Sequence, residues 1–157
     1  MPKLDETHDP SRHSWVKSAN DGTTDFPIQN LPLGVFRNGA GGARGGVAIG
    51  DHILDLAAVL KANLLTGDAK VAAEAASGPT LNPLMALGNR YASALRRELS
   101  NLLRADNSER AKLEAMADTL LVPMAKAQMQ LPAAVGAFTD FMVSIYHTER
   151  AGRASRP

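Results

Sequence analysis

The chain has 157 residues, 45% of them apolar and 21% charged, a balance that excludes a disordered chain and allows one domain, or one domain plus part of a second. A net charge of +1, from 17 basic and 16 acidic residues, leaves no electrostatic footprint for nucleic acid, although Arg150, Arg153 and Arg156 form a local basic cluster near one end. The absence of cysteine excludes disulfides and thiolate metal sites and fits a cytoplasmic protein, and no run of about eighteen apolar residues predicts a membrane span.

Residues 1–13 are polar, contain Pro2 and Pro10, and read as a mobile tail. They lack the basic-then-apolar order of a secretory leader. "SWV" at 14–16 opens a first strand, and "ANDGTTD" at 19–25 is turn material centred on Asp21-Gly22. In "FPIQNLPLGVF", Pro27 and Pro32 forbid a long helix, which predicts an ordered crossing that ends in a short strand at 34–37. "RNGAGGARGG" follows at 37–46. It fails the spacing of a dinucleotide-binding loop, because Arg44 stands where the third glycine belongs and a strand rather than a helix comes next. It reads as a flexible loop between two strands.

"GVAIGDHILDL" at 46–56 is the clearest signal of the first half. Val47 and Ile49 alternate with small residues, Gly50-Asp51 closes a tight hairpin, and Ile53, Leu54 and Leu56 continue beyond it. His52 reads as a solvated strand residue with no evident partner. The period then becomes helical. A short helix over 57–65 ends at Thr66-Gly67, and an Ala-rich helix covers 68–77. "TLNPLMALGNRYASALRRELSNLLR" at 80–104 predicts the strongest helix, with Asn82 as N-cap and Pro83 in the first turn. Its apolar stripe is Leu84, Leu87, Tyr91, Leu95, Leu99 and Leu102. Ser108 can cap a further helix over 109–120 with Leu113, Met116, Ala117 and Leu120 inward. Pro123 and Pro132 bracket a linker-like stretch, which places a domain boundary near 121.

"FTDFMVSIYHTER" at 138–150 sets Asp140 and His147 seven residues apart. In a helix over 139–147 they would share one face, about 20° apart, with Ser144 between them. A nucleophilic triad on one helical stripe converges poorly, and no G-x-S-x-G elbow surrounds Ser144. A carboxylate for a hard cation beside an imidazole that takes a proton from water is better chemistry. One carboxylate cannot hold such an ion alone. The alternative reading is a turn-capping Asp140 and an ordinary surface His147.

Taken together, "SWV", "DFPIQNLPLGVF" at 25–36, "GVAIGDHILDL" and "LPAAVGAFTDF" at 131–141 resemble the fumarylacetoacetase family, in that order along the chain. The resemblance implies an α+β architecture: a small SH3-like β-barrel with accompanying helices, followed by the opening segment of a β-rich catalytic domain. The divisions expected are a tail over 1–13, the barrel domain over 14–120, and a linker with the truncated start of the hydrolase domain over 121–157.

The family's chemistry is hydrolysis of a carbon–carbon bond in a small β-diketo acid, giving fumarate and acetoacetate at the end of tyrosine and phenylalanine catabolism. Ca2+ or Mg2+ is the implied cofactor, and a homodimer is the implied assembly. By position, Asp140 matches the first metal ligand and His147 the catalytic base. Arg156, which Pro157 follows, matches a contact to the substrate carboxylate, and Gly152 belongs to the same loop. Met142 stands at a substrate-contact position that is usually Tyr, Ala137 replaces a usual acidic residue, and Thr148, Glu149 and Arg150 depart from the usual sequence. The family's other metal ligands, a Glu-x-Glu pair and a later Asp, and its catalytic Lys fall beyond position 157. The expectation is therefore an incomplete N-terminal portion of the enzyme that is inactive alone. The alternative is a stand-alone, non-catalytic binding or dimerisation module.

Overall fold

The computed structural model describes residues 4–141 and 143–156. A five-stranded antiparallel sheet, β1 (Leu33–Asn38), β2 (Arg44–Ile49), β3 (His52–Asp55), β4 (Leu121–Pro123) and β5 (Ala127–Gln130), has the order β4-β3-β2-β1-β5. Helices α1 (Leu56–Lys61), α2 (Gly67–Ala76), α3 (Asn82–Leu87) and α4 (Asn89–Leu103) follow the central hairpin, and α5 (Arg110–Ala115) and α6 (Ala117–Leu120) lead into β4. An eleven-residue helix α7 (Ile145–Ser155) lies near the end of the chain. Among the described helices, none is long and apolar enough to cross a membrane.

The sheet is mixed with helices as expected, but its hydrogen bonding leaves it open: β4 and β5 are edges and do not pair with each other. A closed barrel is therefore not what the ladder describes. Yet only a 3-10 turn, Met124–Lys126, separates these two edges in the chain. A flat five-stranded sheet would hold its edges about 19 Å apart, whereas four peptide steps reach at most about 14 Å. The sheet must therefore curl, and Met124 shows toward which side. It packs on Phe36, Ile53 and Val122, so these residues line the concave face. The stretch at 123–132 that read as a linker thus supplies an edge strand and the turn that spans the curl.

The convex face is the larger core. Val35, Val47, Ile49 and Leu54 join Leu56 and Val59 of α1, Ala69, Ala72, Ala73 and Ala76 of α2, and Leu95, Leu99 and Leu103 of α4. Alternation along β1 and β2 puts Val35 and Val47 on this side and Phe36 on the other. The Gly-rich stretch serves close packing. A Cβ on Gly45 would lie 1.8 Å from the Ala76 carbonyl oxygen, and one on Gly46 would lie 2.5 Å from Ile53 and 2.8 Å from the Phe36 ring. Only 39–43 is loop; β2 already begins at Arg44.

Arg44 and Asp55 tie this hairpin to the first helix. Asp55 is buried, pairs with Arg44 at 2.7 Å, and caps α1 by accepting from the N–H groups of Ala57 and Ala58. Arg44 also lies over the Phe36 ring at 4.6 Å.

The single helix expected over 82–104 is two. Gly88 sits at φ 83°, ψ 178°, a conformation open to glycine alone, and it breaks α3 from α4. Leu103, not Leu102, closes the buried stripe. Residue 116 likewise divides α5 from α6, and Ser108 caps neither. "SWV" forms one bridge, Ser14 to Arg104, instead of a strand. Its role is to cap α4: the Ser14 hydroxyl and Trp15 Nε1 donate to the carbonyls of Leu103 and Leu102 at 2.8 and 2.9 Å. Upstream, Arg12 donates to Ser100 at 2.8 Å and the buried Thr7 accepts from Arg96 at 3.1 Å, which lays residues 5–12 along α4.

Gly45→Ala is expected to lower stability by about 1–3 kcal/mol. Gly42→Ala, where a Cβ meets nothing within 4 Å, is expected to stay within about 0.5 kcal/mol. Urea midpoints of the two variants against the parent chain check this.

Candidate functional site

Among the described residues, no helix or strand follows β5 until Ser144, which caps α7. The Ser144 hydroxyl accepts from the His147 N–H at 3.3 Å. This N-cap use of Ser144 explains the residue locally and leaves no reason to assign it a nucleophile's role. It also corrects the supposed helix over 139–147. Asp140 lies before the helix, so Asp140, Ser144 and His147 do not form one stripe. Capping terminates the helix at Ser144 because its side chain satisfies an N-terminal donor that another helical turn would otherwise have satisfied.

Asp140 and His147 are both exposed. Among the described residues the histidine–carboxylate pairs are His8–Asp5 and His52–Asp51, so the fold does not join Asp140 to His147. Arg156 is exposed at the C-terminal cap of α7, where its N–H donates to the Gly152 carbonyl at 3.0 Å. A Cβ on Gly152 would meet nothing within 4 Å, so the helix does not itself require glycine there. Met142 and Pro157 lie outside the described residues.

The segment is apolar and uncovered. Phe138 is 92% exposed and Phe141 71%, and Val143, Ile145 and Tyr146 are also open to solvent. A run of exposed side chains of this kind marks an interaction surface. Among the described residues no group of three or more His, Asp or Glu side chains could hold a metal ion. The residues present therefore do not fit a divalent cation by themselves; Asp140 supplies one ligand at most.

Two features here escaped the sequence. One is a cluster at the β2–β3 turn. Gly50, at φ 55°, sets Asp51 where its carboxylate accepts from the Ser18 hydroxyl and lies 2.6 Å from His52 Nδ1. The histidine expected to lack a partner has one in the neighbouring residue. Ser18 donates to the carboxylate and not to the imidazole, so this is a turn lock rather than a nucleophile–base pair. The Ser18 hydroxyl, with a smaller contribution from His52, holds the Asp51 carboxyl below its ordinary value against the opposing effect of partial burial. The signal that could have found it is the adjacency of Asp51 and His52 at a tight turn; Ser18 is 33 residues away.

The second feature is an apolar hollow of about 260 Å³ on the concave face, lined by Phe26, Phe36, Ile53, Met124 and Met129 among others. Gly34 and Gly46 also border it. It contains no group that could act as acid, base or nucleophile. The hollow needs residues from four strands, so no local pattern announces it.

The sequence profile described as "Fumarylacetoacetase N-terminal" matches residues 29–132. This chain belongs to the fumarylacetoacetase N-terminal family. It is 40% identical to the protein named fumarylacetoacetase from Oryza sativa subsp. japonica over 131 residues, 81% of this chain and 30% of that one. The fumarylacetoacetases of Rattus norvegicus and Homo sapiens are 39% and 38% identical over 141 residues, 88% of this chain and 33% of each. The chain thus spans about a third of the length of these relatives.

The depressed Asp51 titration generates a pH prediction. A carboxyl lowered on folding contributes stability above its unfolded value, near 3.8, and that contribution is lost as pH falls through the folded value. The stability gap between the parent chain and Ser18→Ala should therefore narrow on acidification below about pH 4, leaving a pH-independent remainder from the Asp51 N–H bond to Ser18. Urea midpoints at neutral and acidic pH measure the gap. NMR titration of the Asp51 carboxyl should show a higher midpoint in the variant.

Proposed function

We propose that this chain is the N-terminal part of a fumarylacetoacetase: an enzyme that hydrolyses the carbon–carbon bond of 4-fumarylacetoacetate to fumarate and acetoacetate, the last step of tyrosine and phenylalanine catabolism. The observation that carries this reading is the 38–40% identity over 131–141 residues to relatives of that name. The uncovered apolar segment that holds Asp140 and His147 supports it, because a segment so exposed calls for further protein around it.

His147 acts as the base. It takes a proton from water as the oxygen bonds to the substrate carbonyl; the carbon–carbon bond then breaks, its electron pair leaves on the acetoacetate carbon, and the imidazolium returns the proton to that carbon. Arg156 offers its guanidinium to a substrate carboxylate, and Met142 stands on the acyl side. Asp140 would supply one carboxylate to a Ca2+ or Mg2+ ion, which would stabilise charge on the substrate oxygens once other residues of the enzyme completed its shell. The full enzyme is a cytoplasmic homodimer. The curled sheet is the open form of an SH3-like barrel, and the catalytic domain begins after Pro132, since residues 121–130 complete the sheet. The concave hollow favours a second reading, a non-catalytic binding or dimerisation module.

Loss of the enol absorbance of fumarylacetoacetate with added Mg2+ or Ca2+ tests the proposal. The 157-residue chain is expected to be inactive, and fusion to the C-terminal two thirds of the Oryza sativa relative is expected to give turnover. His147→Ala should reduce kcat of the fusion by about 10²–10⁴-fold. Metal-dependent turnover by the chain alone would refute an incomplete site. An active fusion indifferent to His147→Ala would refute the base and leave the binding module.

A further inference from the structure

The segment that carries Asp140 and His147 leaves the folded body at a built junction. The Leu81 N–H donates to the Pro132 carbonyl at 2.7 Å. One residue on, Asn82 Nδ2 donates to the Ala134 carbonyl at 3.1 Å, and the Ala134 N–H donates to Asn82 Oδ1 at 2.8 Å. A single carboxamide thus engages both backbone groups of Ala134, as a paired strand would. The sequence pattern assigned Asn82 to capping, but the N-cap of α3 is Leu81 and no side chain caps that helix. Its amide nitrogen and oxygen each bond instead to a residue 52 positions away.

The junction rests on a firm base. Leu81 and Leu84, on either side of Asn82 and Pro83, are each 5% exposed and belong to the main core. Two parallel bonds fix direction as well as position, which one bond from Leu81 cannot do. From Ala134 the chain has six residues to Asp140, a reach of at most about 20 Å.

We propose that Asn82 is a positioning residue for the active-site segment: its carboxamide clamp on Ala134 sets the heading from which Asp140 and His147 enter the site. The catalytic half of this inference rests on the function proposed above; the clamp itself does not. Among small side chains, the Asn carboxamide donates and accepts through two separate atoms, as the two bonds here require. Asp can accept from the Ala134 N–H but places a negative charge against the carbonyl, and Ala offers neither bond.

The test has two arms. The first uses the 157-residue chain, which has no cysteine, so Lys61→Cys and Thr139→Cys accept a pair of spin labels. Both positions are exposed, one on α1 and one in the segment. Asn82→Ala is expected to broaden the distance distribution and to raise amide exchange at Ala134 by about tenfold or more; an unchanged distribution or exchange rate overturns the clamp. The second arm uses the active fusion. The expected kcat falls about tenfold or more in Asn82→Ala and less in Asn82→Asp, with KM within about twofold, because geometry and not affinity is lost. Full kcat in Asn82→Ala, in a fusion that His147→Ala inactivates, overturns the positioning role. Full activity in His147→Ala would instead sink the active-site reading and the catalytic half with it, while the spin-label arm still decides the clamp.

Discussion

The curl of the sheet is the constraint on which the rest depends. Its two edges are separated by one 3-10 turn, so five strands must wrap until β4 and β5 nearly face each other. Wrapping crowds the inside, and the strands there carry glycine where their neighbours carry bulk: Gly34 beside Met129, Gly46 beside Phe36 and Ile53. The interior is filled by Phe36, Ile53 and Val122, and what remains unfilled is the apolar hollow. A flatter sheet would lose the turn, and a sheet with side chains at 45 and 46 would lose either the helix behind it or the aromatic in front.

The helical layer answers the convex face. Alanines of α2 let that helix approach until the Ala76 carbonyl nearly touches β2 at Gly45. Asp55 then joins sheet to helix by ending β3, capping α1 and pairing with Arg44. Such a buried carboxylate is tolerable because its oxygens are engaged by a guanidinium and two backbone donors. Ser14 and Trp15 close the far side by satisfying the carbonyls at the end of α4.

The candidate site obeys a different logic from the body. The body is held by burial on both faces of one sheet. The segment after Pro132 carries the Ser144 cap and its helix and, among its described residues, presents aromatic side chains to solvent. Where it meets the body, hydrogen bonds to Leu81 and Asn82 hold it.

The sequence by itself determined most of the local elements and supplied the residues from which a site is proposed. The alternation through Val47 and Ile49, the Gly50-Asp51 turn, the Ala-rich helix and the Leu84-to-Leu99 stripe are periodic signals, because each side chain's fate follows from its neighbours in the chain. The stretches at 25–36, 46–56 and 131–141 carried the family. Tertiary structure alone decided the wrap of the sheet, the splitting of the long helix at Gly88, the use of Gly45 and Gly46 as contact points, and the partners of Asp51 and Asn82. Each of these joins residues tens of positions apart or depends on a backbone angle. A pattern read along the chain reports which face a residue prefers; it does not report what stands opposite that face, and that opposite partner is what turned Asn82 from a helix cap into a clamp.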